Sequence, residues 1–541
     1  MRRLLLTLIS VLLVLPACAP APTAPAGADE VPPERVAEGG SLRWSLSEFP
    51  STFNRLSVHA NLGIHELAPA LLPTVWRHGA DGAAEPNPDY LTSARLTATE
   101  PRQEVVYRIN PKATWNDGSP ITWEDFHAQW RAMVDPRFEV NSSEGYTELA
   151  SVERGGDDRE VRVVFRNRFA DWKSLFSPLL PRSLTRDPVV FNDGWRERPG
   201  TTAGPFRFVE ADPGQKVVVL ARDERWWGER PKLDRLVYRV IPSEQATEAL
   251  AAGELDVANL APDLVSMRQA QAVNGVRVTV GPTRTSRHLD VNGRPGALLA
   301  DPDLRRAVVQ GLDRGSVLRA HYAEQVPHAR LLNSLILLPG ARHYADSPAA
   351  IAHDPDAANR KLDELGWRRE GAVRRKDGRE LALRYVIPIG GGAAELEARL
   401  AADQLARIGV RVEILPVAVD RMMEDYIGAG RFDLSSTSWI GSPFPVSEKR
   451  RFFTKLPWKH DSAEGEGDPV IRDLFARATE ELDERRQAEL IHQLDHRMWT
   501  IAYKIPLLQR PGIVAARAGV ANVHAFGYAH PIPYSRLGFR R

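Results

Sequence analysis

The sequence predicts an α/β chain with mixed sheets, folded into two or three lobes. Strand and helix patterns intermix along most of its length, and hairpins lie beside strand–helix–strand units. At 541 residues the chain exceeds what one apolar core supports, so more than one lobe is expected. Its 43% hydrophobic and 26% charged residues are ordinary for a globular protein, and no internal repeat is evident.

The elements follow in order. Ser41–Leu46 reads as a first strand and Asn61–Leu72 as a helix. Val105–Ile109 is a strand that ends at Pro111, and Asn116-Asp117-Gly118 is a turn. Thr122 with Asp125 makes a capping box, after which Phe126, Trp130 and Met133 recur at helical spacing. Val161–Phe165 is a strand, and the segments around Phe206–Val209 and Lys216–Leu220 form a hairpin over Asp212-Pro213-Gly214. Leu236–Ile241 alternates as a strand before a helix over Ser243–Ala252. Asp301-Pro302 and Asp354-Pro355 each start a helix with a cap and a proline in the first turn, the second helix stopping at Gly366. Val373–Tyr385 reads as a hairpin around Asp377-Gly378, Leu396–Ile408 as a helix, Val410–Leu415 as a strand and Asp483–Ala502 as a final long helix.

The N-terminus reads as an export signal. Arg2 and Arg3 precede an apolar run, Leu4–Leu15, which is too short for a spanning helix of about 20 residues. Leu15-Pro16-Ala17-Cys18 resembles the bacterial lipobox, which implies cleavage after residue 17 and lipid on the sulfur of Cys18. As the only cysteine, Cys18 leaves no intramolecular disulfide and no cysteine zinc site. Residues 18–40, rich in Pro and Ala, read as a disordered tether. At about 3.1 Å per residue it reaches roughly 70 Å. No later segment is long and apolar enough to cross a bilayer. The formal charge of +1, from 71 basic and 70 acidic residues, provides no field for nucleic acid.

Enzyme signatures are missing. No nucleophile elbow or P-loop occurs, and Gly390-Gly391-Gly392 lacks dinucleotide spacing. His492 and His496 lie one helical turn apart, a zinc-compatible spacing, but Gln493 occupies the place of the general base and a solvated helix face is the simpler reading. No cofactor is expected.

Thr202–Val257 carries a resemblance. Gly204-Pro205-Phe206, Pro213-Gly214, Arg222 with Trp226-Trp227, Pro231-Lys232-Leu233-Asp234, and Ala249-Leu250 with Gly253-Glu254 and Asp256 are similar, in order, to motifs of the family 5 extracellular solute-binding proteins of ABC importers, the oligopeptide and dipeptide group. Trp115 through Asp125, Leu304 through Arg314, Asp354 through Trp367, Leu405 through Val410, and Ile505-Pro506-Leu507 continue the match over nearly the whole mature chain. The resemblance implies a periplasmic-binding-protein-like fold of type II (cluster C). Lobe I would be 41–85, 204–294 and 509–541; lobe II, 86–203; and lobe III, 295–508. Lobes I and III would close on a small solute across a hinge, and a monomer would dock on permease subunits in the membrane.

The resemblance also implies site residues. Trp439 is either an apolar wall for the ligand or the cap of a buried strand. Peptide binders of the family carry an aspartate shortly after this tryptophan to pair the ligand's amino terminus; Ser442, after Gly441, stands there, and the nearest acid is Glu448. A hydroxyl does not neutralise a buried ammonium. A blocked peptide, a glycosylated compound or another neutral solute is therefore expected over an ordinary free peptide. His59 and Asn61, in the first loop, and Tyr146, from lobe II, are further candidate contacts, while Asn292 reads as a turn cap. Some actinobacterial lipoproteins of this fold act as regulators or scaffolds in cell-envelope glycolipid synthesis, an alternative role that the resemblance leaves open.

Overall fold

The computed structural model describes residues 30–322, 325–346, 350–448, 468–525, 527 and 532–541. The leader, Cys18 and most of the expected tether lie outside them. Val31–Arg541 forms one compact unit, and no helix among the described residues is long and apolar enough to cross a membrane. The body thus begins at Val31 rather than Ser41. Val31 and Val36 are buried against Ala521, the Val31 N–H donates to Asn522 Oδ1 at 2.8 Å, and Val36 bridges Arg540. Two valines in a Pro/Ala-rich stretch are enough to dock it, a contact that composition does not reveal.

One mixed sheet of eleven strands runs through the unit. Its order is Arg411–Val417, Ala382–Pro388, Leu434–Ile440, Val276–Val291, Lys504–Arg517, Val257–Leu260, Ser41–Leu46, Arg235–Val240, Val217–Arg222 and Phe206–Asp212, with Arg330–Leu331 also pairing on Lys504–Arg517. A separate antiparallel sheet has the order Leu91–Ala98, Glu104–Ile109, Glu160–Phe165, Leu149–Arg154. Helix Trp123–Val134 buries Phe126, Trp130 and Met133, and its Thr122–Asp125 capping box is formed as the sequence predicts. The expected hairpin over Val373–Tyr385 divides instead. Val373–Lys376 turns back only through Arg379–Glu380, while Ala382–Pro388 leaves to pair in parallel with Arg411–Val417, which buries Leu383, Tyr385 and Ile387 in the interior.

The interior has two large apolar clusters. One holds Trp44, Phe53, Trp76, Tyr107, Phe126, Phe176 and Phe206; the other holds Leu289, Val308, Leu362, Tyr385, Leu405, Leu434 and Trp499. Lys504–Arg517 serves both. Ile513 and Ala515 face the second cluster, and Val514 and Ala516 face the first, as the two-residue side-chain period of a strand requires. A third cluster packs Trp439 with Phe475, Leu494 and Met498.

Candidate functional site

The site is organised by the two long antiparallel strands Val276–Val291 and Lys504–Arg517. Their register runs unbroken to Gly281 opposite Gly512 and Pro282 opposite Pro511, then shifts so that Ser286 faces Gln509. Neither proline has an N–H to give the ladder, and Thr283, Arg284 and Thr285 bulge out of it, a device that bends a strand and re-aims a side chain. Side chains close the gap: the Thr283 hydroxyl donates to the Arg510 carbonyl at 2.5 Å, and Gln509 Nε2 donates to the Thr283 carbonyl at 2.8 Å. The glycines permit close approach, since a Cβ on Gly512 would lie 2.8 Å from both Ala525 Cβ and Thr283 Cγ2. The bulge places Arg284 beside the end of strand Leu434–Ile440, where the Gly441 N–H donates to the Arg284 carbonyl at 2.7 Å.

Facing the bulge are the loop after the first strand, which carries Arg55, helix Leu62–Leu71, which carries His65, and strand Trp76–His78. The Arg55 guanidinium is half-buried. Desolvation, then the charge of Arg284, pulls it down to about 10. Desolvation followed by Arg55 and Arg284 brings His65 down to about 3, and desolvation followed by Arg284 brings His78 to about 4. Both imidazoles are neutral at physiological pH. His65 is exposed on helix Leu62–Leu71.

Several contacts join distant parts of the chain. The His78 ring meets Phe444 edge-on at 5.6 Å, and the Arg342 N–H donates to the Asp81 carbonyl at 2.8 Å. The Ala170 N–H reaches the Thr479 carbonyl at 2.7 Å. The buried Asp171 carboxylate accepts from the Ser447 N–H at 3.0 Å and from the Ser447 hydroxyl.

Beneath the bulge lies a buried polar layer. Asp290 and Lys504, register partners on the two long strands, form an ion pair in which each side chain is 2% exposed. Thr437 donates to Asp290 at 2.5 Å and lies 2.7 Å from His288 Nε2. Arg287 makes a forked contact to Glu397 at 2.7–3.0 Å, and His321 Nε2 is 3.0 Å from the same carboxylate. The adjoining cavity of about 30 Å³, lined by Leu289, Tyr385 and Glu397 among others, has room for one water and not for a solute.

The residues expected from the sequence divide into groups. Gly441 and Ser442 sit at the bulge, and the Ser442 hydroxyl accepts the Phe444 N–H at 3.1 Å. Trp439 is 8% exposed, with His288 at 4.4 Å between ring centroids and the Lys504 ammonium 4.5 Å over its ring. Of its two readings, the strand cap describes this packing. Tyr146 departs from the expectation. It is buried, its hydroxyl accepts from Gln129 Nε2 and the Phe176 N–H, both at 2.9 Å, and it serves the interior rather than the cleft. His59 is exposed and lies 3.1 Å from Glu139, while Asn61 Nδ2 donates to the Phe49 carbonyl at 2.8 Å; both side chains are engaged in holding the first loop. Asn292 Nδ2 donates to the Gly430 and Phe432 carbonyls, the cap role read from sequence. Arg55, Arg284 and His65 were not singled out, because no local pattern pairs residues so far apart in the chain.

His492 Nε2 lies 3.0 Å from the His343 carbonyl, and no cluster of metal-ligating side chains occurs among the described residues. Between His492 and His496, Asp495 turns inward to accept the Leu335 N–H at 2.6 Å. Desolvation pushes its carboxyl up to about 7, outweighing the hydrogen bonds that lower it. The unfolded value is about 3.9, so stability is lost as pH rises through this interval. Asp495→Asn is expected to stabilise the chain by roughly 1–3 kcal/mol at pH 8 and to have little effect at pH 4. Urea unfolding at the two pH values checks this; equal differences at both would place the titration elsewhere.

Comparison with known proteins agrees with this architecture. Residues 85–457 match the family described as bacterial extracellular solute-binding proteins, family 5 middle. The chain is 36% identical to the oligopeptide-binding protein OppA of Mycobacterium tuberculosis over 520 residues, covering 94% of this chain and 86% of the relative. It is 26% identical to the probable monoacyl phosphatidylinositol tetramannoside-binding protein LpqW of the same organism over 375 residues, covering 64% and 59% of the two chains. Among solved structures, the periplasmic EDTA-binding protein EppA superposes with a TM-score of 0.85 at 26% identity, covering 95% of this chain and 98% of that one. The fold is accordingly that of the type II periplasmic binding proteins, and these relatives bind solutes rather than catalyse reactions. The match of residues 85–457 and the 36% identity over nearly the whole chain settle the assignment: the chain belongs to the family 5 extracellular solute-binding proteins.

Proposed function

We propose that this protein is a lipid-anchored, extracytoplasmic receptor that captures a peptide-like or glycosylated small solute by hinge closure and delivers it to an ABC permease. The observation that carries the reading is the interrupted ladder at Pro282 and Pro511, bordered by the contacts of Asp171 with Ser447 and Asp81 with Arg342. In this reading residues 41–85, 204–294 and 509–541 act as lobe I, 86–203 as lobe II and 295–508 as lobe III. The Pro–Pro step is the hinge, the described conformation is closed, and a monomer tethered at Cys18 is held near the permease at high effective concentration. The likeness to an oligopeptide-binding protein supports a peptide-like solute. Ser442, with its hydroxyl engaged by Phe444, provides no charge for a free amino terminus, which favours a blocked one.

A second reading rests on the likeness to LpqW, in which the solute is glycolipid-like and the protein regulates cell-envelope glycolipid synthesis. One experiment addresses both. Intact-mass measurement of the mature chain from the membrane fraction is expected to find lipid on Cys18 and a retained solute, whose mass separates peptide from glycolipid. Asp171→Ala removes the carboxylate that accepts from the Ser447 N–H, the Ser447 hydroxyl and Gln487 Nε2, each hydrogen bond to a charged group being worth about 1.5–3 kcal/mol. It is expected to enlarge the radius of gyration in X-ray scattering and to shed the solute. A parent chain with no solute, together with a scattering curve unchanged in the variant, would remove the basis for capture by closure.

A further inference from the structure

This inference rests on the proposed lipid anchor at Cys18 and concerns how the body meets the membrane. Between Trp367 and Leu381 the chain folds into a small antiparallel sheet of three strands, Arg368–Glu370, Val373–Lys376 and Arg379–Glu380. Its thirteen residues carry six basic and three acidic side chains, in a chain whose total charge is only +1. Three of its five cross-strand pairs set cation against cation: Arg368 opposite Arg375, Arg369 opposite Arg374, and Lys376 opposite Arg379. Like charges directly opposite each other destabilise a sheet. The molecule relieves only part of this. Arg374 turns inward, where it pairs with Asp363 at 2.7 Å and donates to the Trp367 and Ile408 carbonyls at 2.6 and 2.8 Å. Arg375 lies 3.7 Å from Glu370 and 3.6 Å from Glu380. The Arg368 side chain is 70% exposed, with Asp363 3.9 Å away. Arg369, Lys376 and Arg379 are exposed, and none of the three forms an ion pair among the described residues. The charges are nevertheless held in fixed positions. Asp377 (φ 51°) and Gly378 (φ 75°) close the turn between Lys376 and Arg379, as in a tight two-residue hairpin, and buried Arg374 locks the sheet to the body.

We propose that this sheet is a docking surface for an anionic lipid bilayer, the second attachment beside the lipid on Cys18. Its four exposed cations reach the number at which basic clusters are drawn to negatively charged headgroups, and a lipid chain with a basic patch is a combination that makes anchoring stable. Headgroup anions also relieve the repulsion that the free sheet bears. A protein partner is a poorer match, because protein interfaces are built around a buried apolar centre, and Ala372 and Val373 are the only apolar side chains of the sheet. The length of chain before the body agrees with contact at both points. Val31 is held at Asn522, so twelve residues separate it from Cys18, a reach of about 37 Å at ~3.1 Å per residue. The cationic sheet leads into Ala382–Pro388, five ladder steps from Ser41–Leu46, roughly 24 Å at ~4.8 Å per step. Docking there fixes the rotation of the body about its tether, so that one face is always turned to the membrane.

The test uses the mature chain carrying Cys18→Ser, which bears no lipid. Cosedimentation is measured with vesicles of equal parts phosphatidylglycerol and phosphatidylcholine, and with vesicles of phosphatidylcholine alone. The anionic vesicles are expected to bind at least about tenfold more tightly, with the preference fading as salt is raised from roughly 50 to 500 mM. The pair Lys376→Gln with Arg379→Gln is expected to weaken that binding about 10- to 100-fold and to melt no lower than the parent, since a repulsive pair is removed. A control pair with the same charge change, Arg95→Gln with Arg207→Gln at exposed positions of other sheets, is expected to keep it. Equal binding of both vesicles by the parent, an equal loss in the control pair, or retention on soluble polyphosphate with none on anionic vesicles would each overturn the docking surface, and lipid found on Cys18 by intact mass would leave the anchor standing. A natural chain with no lipid on Cys18 would instead remove the anchor on which the inference rests.

Discussion

Replacement of Asp290 by alanine is expected to destabilise the protein by roughly 3–5 kcal/mol, the cost of breaking a buried ion pair. The other member of the pair is the Lys504 ammonium. Its side chain is 2% exposed, as is that of Asp290, and it lies 4.5 Å over the Trp439 ring, which offers weaker compensation than a carboxylate. Loss of Asp290 also removes the acceptor of the Thr437 hydroxyl. Lys504→Met alone should cost a similar amount, because it leaves the carboxylate buried. The double variant Asp290→Leu with Lys504→Met should recover most of the loss, since apolar replacement of a buried pair is often neutral or stabilising. Urea unfolding of the parent, Asp290→Leu, Lys504→Met and the double variant makes the double-mutant cycle. A loss below about 1 kcal/mol for Asp290→Ala, or additive single effects, would mean that water reaches the pair and screens it. The position gives the prediction its interest: the pair cross-links the two long strands below the bulge, so it stiffens the part of the ladder that the Pro282–Pro511 step interrupts.

What could be read from sequence depended on how local the signal was. The capping box of Thr122 and Asp125, the aspartate caps at Asp301, Asp354 and Asp483, and the hairpin at Asp212-Pro213-Gly214 are settled by neighbours in the chain. The two longest strands were not legible. Gly281, Pro282, Pro511 and Gly512 read as breaks under local rules, and they become a shared bend only because the two strands align glycine with glycine and proline with proline. Burial direction was equally hidden. The two-residue period shows that Trp439 and its neighbours face opposite sides, but not that helices Pro469–Glu480 and Glu484–Ile501 wait on one of them. Tyr146 failed as a candidate for the same reason, because its hydroxyl is consumed by Gln129 and Phe176.

Glu397 should set the acid limb of stability. Burial alone would push its carboxyl up, but the His321 hydrogen bond and the Arg287 charge outweigh that and bring it down to about 2. A carboxyl with a folded value below its unfolded value of about 4.3 contributes stability above the unfolded value and loses it as pH falls towards the folded one. The interval corresponds to roughly 3 kcal/mol, present in full at pH 6–7 and lost progressively between about pH 4.5 and 2. Glu397→Ala should therefore cost about 3–5 kcal/mol at neutral pH, because Arg287 and His321 lose their shared partner in the interior. Glu397→Gln should cost less, since an amide oxygen still accepts a hydrogen bond. The gap between parent and Glu397→Gln should narrow as pH is lowered from 6 to 2.5. Asp495 acts in the opposite sense over a higher range, its folded value of about 7 making the chain gain stability as pH falls from 7 towards 4. The parent is thus expected to show a stability maximum on the acid side of neutrality, bounded above by Asp495 and below by Glu397. Denaturant midpoints across this range decide the matter: a gap between parent and Glu397→Gln that stays constant from pH 6 to 2.5 would show that the Arg287–Glu397–His321 cluster does not hold its proton balance as described.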